Sequence, residues 1–191
     1  MAFNQFRRVL SIPNGNPNTW HGNTEGLGGS GLLQPGELGG VLPWDGDQYQ
    51  LVKMDSGATS ATATGVPAAG QLAFWKDRDN YLVTNDSRFA DSAHVPAGTI
   101  SRDHRNSVAG LVESSVLPGE FFFVHQKGNS SVKTSSTPAA GAVFVANTGT
   151  DANAVSVAAG TAPTCQVIGV VTSPSATNGK IPARLCIEYL N

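Results

Sequence analysis

From Gly40 onward the rhythm of apolar and polar residues is strand, turn, strand. VLPWDGDQYQLVKMD sets two apolar stretches around Asp45-Gly46, a dipeptide favoured in the tight turn of a β-hairpin. QLAFW and NYLVTND flank Lys76-Asp77-Arg78-Asp79, which predicts a second hairpin with a polar tip. The charge-free stretch SGATSATATGVPAAG between them reads as an exposed loop, and NDSRFADSAHVPAGTISRDHRNS as a polar connector. SVAGLVESSVLPGEFFFVHQKG then predicts a strand, a Pro118-Gly119 turn and an aromatic strand over Glu120 to Gln126. In that strand Phe121, Phe123 and His125 share one face, and Phe122 and Val124 the other. Both faces are apolar, so the strand should be covered on both sides, within a sandwich or between subunits. AGAVFVANTG, NAVSVAAG, CQVIGVVTSP and ARLCIEYLN supply further strands. In the last, Ala183, Leu185, Ile187 and Tyr189 alternate with Arg184, Cys186 and Glu188, the pattern of a half-buried strand. Strands recurring at this short spacing predict an all-β fold, a sandwich or a barrel-like β domain.

Residues 1–39 read differently. Phe3, Phe6 and Leu10 fall at helical spacing, and then NGNPNTWHGNTEGLGGSGLLQPGELGG is dense in Gly, Asn and Pro. Such a segment buries little of itself and loses much entropy on ordering, so it is expected to be an extended arm that something else must hold. Trp20 is a large aromatic in that arm and calls for a pocket. The expected division is an N-terminal arm over 1–39 and a β-rich domain over 40–191.

Composition sharpens this picture. Charged residues are 14% of the 191, against about 25% in a typical soluble domain, while Gly (22) and Pro (11) abound. A surface with few charges and many small polar groups suits broad contact with other protein. The net charge of −2, with one basic knot at Arg102, His104 and Arg105, lacks the stripe a nucleic-acid binder needs, so no direct nucleic-acid partner is expected. No apolar run is long enough to span a bilayer as a helix, and the first residues lack the pattern of a secretion signal. The expectation is a soluble chain folded in the cytosol, with no membrane partner. There, Cys165 and Cys186 are expected as buried thiols rather than a bridge, although their two strand-like runs could be sheet neighbours.

Candidate chemistry is thin. Gly26 to Gly31 matches G-x-G-x-x-G, but Asn-rich coil precedes it and Pro35-Gly36 follows, so the strand and helix of a dinucleotide site are missing. His21, His94, His104 and His125 are scattered, without metal-ligand spacing, and His125 at the end of an aromatic strand reads as structural. The pairs Asp45/Asp47 and Asp77/Asp79 sit at turns, where Asp serves the backbone. Asn85-Asp86-Ser87 and Asn129-Ser130-Ser131 match the glycosylation pattern by chance. The expectation is a protein that is not an enzyme and uses no cofactor or metal.

VAGLVESSVLPGEFFFVHQKG resembles a stretch common in head-decoration proteins of tailed bacteriophages: a Val-Ala-Gly strand, a Pro-Gly turn, an aromatic strand and a closing Gly. SSVKT, AAGAVFVA, CQVIGVVTSP and the terminal strand continue the likeness. Upstream, PGELGGVLPWDGDQYQLVKMD resembles the opening of the same class, so the similarity covers about residues 35–191 and leaves the arm outside it. The resemblance implies a cement protein on the outer capsid surface of a virion, commonly a homotrimer, whose partner is the major capsid protein. It carries over no functional residue. Phe3, Phe6 and Trp20 on the arm, with Phe121 and Phe123 on the aromatic strand, are the candidate capsid or subunit contacts. Other readings are a head-fibre base or tail component, a carbohydrate-binding β-sandwich module, and an all-β hydrolase.

Overall fold

The computed structural model describes residues 17, 21–22, 38–57, 68–86, 89, 107–134, 137–146, 153–158, 160–162, 166–177 and 179–187. Among these there is no α-helix. Eleven strands form one continuous sheet: β1 (His21–Gly22), β2 (Val41–Trp44), β3 (Asp47–Met54), β4 (Leu72–Asp77), β5 (Leu82–Thr84), β6 (Val108–Val112), β7 (Phe121–Lys133), β8 (Val143–Ala146), β9 (Ala154–Val157), β10 (Val167–Val171) and β11 (Lys180–Cys186).

Both expected hairpins form. β2 and β3 pair antiparallel around Asp45 (φ 49°) and Gly46 (φ 83°), the two positive-φ positions of a type I′ turn whose twist matches its strands. β4 and β5 pair antiparallel, with Trp75 opposite Val83. Asp77 stiffens their connection, accepting from the Asp79 and Asn80 amides at 3.1 and 3.2 Å and from Asn80 Nδ2 at 2.7 Å.

Five strands close on themselves in the order β3-β5-β4-β6-β7, with β7 returning to pair with β3, so the domain is a barrel with additional strands. Its interior holds Val52, Met54, Ala73, Trp75, Val83, Ala109, Val112, Val116, Phe122 and Val124, all almost fully buried. The remaining strands run on from β7 through β11, β10 and β8 to β9. Phe144, Ile168, Ile181, Ala183 and Leu185 of that extension join Leu72, Phe74, Val108 and Leu111 of the barrel in a second core. Gln166 stitches the two parts, accepting from the Val108 amide at 2.8 Å. A third cluster, Leu42, Tyr49, Leu51, Phe121 and Phe123, lies on the other side of the β3–β7 pair.

The aromatic strand is thus covered on both faces, as its composition demands, and both covers come from the same chain. Its length departs from expectation. Gly128 does not close the strand: β7 runs thirteen residues to Lys133, and its second half pairs residue by residue with β11. Gly128 passes instead through φ +123°, and the Asp47 carboxylate lies where its β-carbon would be. Glycine at this point lets one strand change neighbours without stopping.

Alternation in β11 is as read, with Ala183, Leu185 and Ile187 buried and Arg184 and Cys186 exposed. Exposure of Cys186 corrects the expectation of two buried thiols, since its parity puts it on the outer face; Cys165 lies outside the described residues. The runs that carry the two cysteines do neighbour each other, as β10 and β11.

Gly128→Ala should lower stability by about 1–3 kcal/mol through backbone strain, and further by displacing Asp47. Gly119, at φ +86° in open space, supplies the control. Urea midpoints at constant m should place Gly128→Ala below Gly119→Ala.

Candidate functional site

At one end of the barrel, where β3 begins and β7 changes partners, polar residues replace the apolar filling. Gln50 and Gln126 are both nearly inaccessible. Gln126 Nε2 donates to Gln50 Oε1 at 2.7 Å and to the Ala109 carbonyl at 3.1 Å. Gln50 Nε2 donates to the Gly39 carbonyl at 3.0 Å, and Gln48 Nε2 to Gln126 Oε1 at 3.3 Å. Buried amides are tolerated because each finds partners, so this ladder plugs the barrel end at little cost.

Outside the ladder sits His125, 1% exposed, its ring stacked on Tyr49 at 4.4 Å between centroids and 23° between planes. Nε2 donates to the Lys127 carbonyl at 2.8 Å, and Nδ1 meets Glu113 Oε1 at 2.6 Å. The Lys127 carbonyl can only accept, which fixes Nε2 as a donor, and Nδ1 lies against the Glu113 carboxylate. The same Glu113 oxygen accepts from Ser130 Oγ at 2.5 Å. Asp47 completes the cluster: Oδ2 lies 3.6 Å from His125 Nε2 and accepts from the Tyr49 hydroxyl at 3.5 Å, while Oδ1 accepts from the Asn129 amide at 3.3 Å.

A serine, a histidine and two carboxylates have therefore converged, but not as a nucleophile relay. Ser130 bonds to Glu113 rather than to the imidazole, and the nitrogen a relay would turn toward a serine is held by a backbone carbonyl. The cluster instead ties β6, β3 and both halves of β7 at the point where β7 changes neighbours. No group of three or more metal-ligating residues suited to an ion occurs among the described residues.

Beside this cluster an open groove of about 460 Å³ is lined by Val41, Pro43, Trp44, Asp45, Gly46, Asp47, Gln48 and Lys127. Trp44 is 38% exposed there. Asp47 and Gln48 belong both to the groove and to the network behind it, so the interior bonds hold the groove wall. Sequence alone missed both features. Glu113 and Ser130 lie far from Asp47 along the chain, and Trp44 read as part of a hairpin strand.

Of the candidate contacts, Phe121 and Phe123 are 6% and 2% exposed, packed with Leu42, Tyr49 and Leu51; Lys53 Nζ also lies 5.0 Å from the Phe121 ring centre. Phe3, Phe6 and Trp20 lie outside the described residues, as do Gly26 to Gly31 and Arg102 to Arg105. No protein-family model, curated protein or solved structure matches the chain.

Glu113→Ala should cost about 2–3 kcal/mol, because it strands a buried imidazole nitrogen together with a hydroxyl. Ser130→Ala should cost about 1 kcal/mol. Added to Glu113→Ala it should cost less than that, by about 0.5 kcal/mol or more in a double-mutant cycle from denaturant unfolding.

Proposed function

We propose that this chain is a structural component of a tailed-phage head, a cement protein that binds the outer capsid surface and bridges neighbouring major capsid proteins. The observation that carries the reading is the combination of a doubly covered β body with an N-terminal segment anchored to it. Among the described residues of that segment, His21–Gly22 add a short strand beside Phe121–Phe122 at the start of β7. A body with a tethered arm is the geometry a bridging protein uses: the body seats on one subunit and the arm gains order on the next. Clamping of this kind sums modest binding free energies over symmetric contacts and needs no catalytic group. The low content of charged residues and the likeness of residues 35–191 to decoration proteins point the same way. A trimer is the assembly this reading implies, with the major capsid protein as partner.

The test is to mix purified chain with undecorated heads of the phage that encodes it and image them by cryo-electron microscopy. Ordered density at symmetric positions on the shell, with a raised temperature of DNA release, is the expected result. Bare shells at saturating protein would refute the proposal.

A further inference from the structure

We infer that the groove beside Trp44 is a binding site for a neutral saccharide, a function separate from capsid binding and independent of it. Four observations converge there. First, Trp44 is one of three large apolar residues left exposed among the described residues, with Leu117 and Val170, and is the only aromatic of the three. Its ring stacks on no other ring among those residues, and it lines the groove. An indole face is the surface on which the C–H face of a pyranose packs, and it loses little entropy in doing so because the side chain has two rotatable bonds.

Second, hydrogen-bonding residues of both kinds line the groove with it. Asp45, Asp47, Gln48 and Lys127 all lie on its wall, the Asp47 carboxylate being held by Asn129 and Tyr49 and the Gln48 amide by Gln126. Sugar hydroxyls both donate and accept, so they need such a mixed set, and a carboxylate can take two vicinal hydroxyls at once. Two carboxylates against one ammonium disfavour anionic ligands, which selects neutral hexoses and N-acetylhexosamines over acidic sugars, phosphates or nucleic acid.

Third, the wall is built before any ligand arrives. Trp44 and Asp47 flank a type I′ turn with Asp45 and Gly46 at its centre, and they close it by pairing with each other. Asp47 is fixed by Asn129, Tyr49 and the neighbouring His125, and Gln48 by Gln126. At about 460 Å³ the groove falls within the volume range of small-ligand pockets, about 300–1,000 Å³, while lying largely open to solvent.

Fourth, the same strand is poorly suited to the main rival occupant, an extended peptide. β2 is an edge strand, which an added strand could extend. In a hairpin closed by the Trp44–Asp47 pair, however, residue 43 turns its amide position to the open edge, and Pro43 has no N–H to offer.

The experiment uses the full chain and two probes: an array of neutral, amino and acidic glycans, and titration of ¹⁵N-labelled protein with maltohexaose, cellohexaose and chitotetraose, followed at the indole N–H signals. A saturable shift of the Trp44 signal at millimolar sugar or below is expected for at least one neutral glycan, with the signal of buried Trp75 unmoved. Trp44→Ala should weaken that binding about tenfold or more, Trp44→Phe less, and Asp45→Asn measurably, with the fold intact by circular dichroism. The inference is overturned if no neutral glycan binds on the array or in titration, if binding survives Trp44→Ala, or if acidic glycans bind best. It is equally overturned if the Trp44 signal shifts with protein concentration alone, which would make a second copy the occupant. Failure of the capsid experiment would leave these outcomes unchanged.

Discussion

A thirteen-residue strand whose first four residues, Phe121 to Val124, are apolar on both faces, with backbone groups to satisfy on both edges, cannot stand at the margin of a small protein. β7 must be surrounded, and the rest of the chain is arranged to surround it. Phe122 and Val124 fill the barrel interior, while Phe121 and Phe123 face a second cluster on the opposite side. β3, β6, β11 and β1 all hydrogen-bond to β7, so barrel, extension and N-terminal segment meet on one strand. Burying four such side chains contributes roughly 6–12 kcal/mol at about 1.5–3 kcal/mol each, comparable with the whole net stability of a domain.

Where β7 leaves one set of partners for another, the β3–β7 register shifts between Gln48 and Tyr49. The Asp47, Tyr49, Glu113, His125 and Ser130 cluster sits at that point, together with Gly128, whose missing side chain makes room for Asp47. Histidine suits this place because its two nitrogens can satisfy a carboxylate and a carbonyl in different directions. A group of residues that elsewhere would suggest hydrolysis serves here to hold β3, β7 and the end of β6 together. Its by-product is a rigid wall for the groove beneath Trp44.

A clamp on a capsid and a saccharide groove place compatible demands on this molecule. The first needs a stiff body and a tethered segment; the second needs an exposed hairpin whose side chains are held from behind. Both draw on the network at the β3–β7 junction, the first for stiffness and the second for position. The two readings are tested by separate experiments and stand or fall separately.

Strand content, both hairpins, the Pro118-Gly119 turn and the double burial of the aromatic strand were legible in the sequence, because alternation and turn chemistry act between near neighbours. Glycine 128 was legible only as a break, although in the structure it is a point of passage; nothing local reveals that Asp47, 81 positions earlier, would occupy the space it leaves. Closure of the barrel through β3 and β7, the choice of barrel over sandwich, and the meeting of Glu113, His125 and Ser130 are contacts between distant segments. Periodicity says which face of a strand is apolar but not what covers it. The partner is selected by packing over the whole chain, and so the site belongs to the tertiary structure.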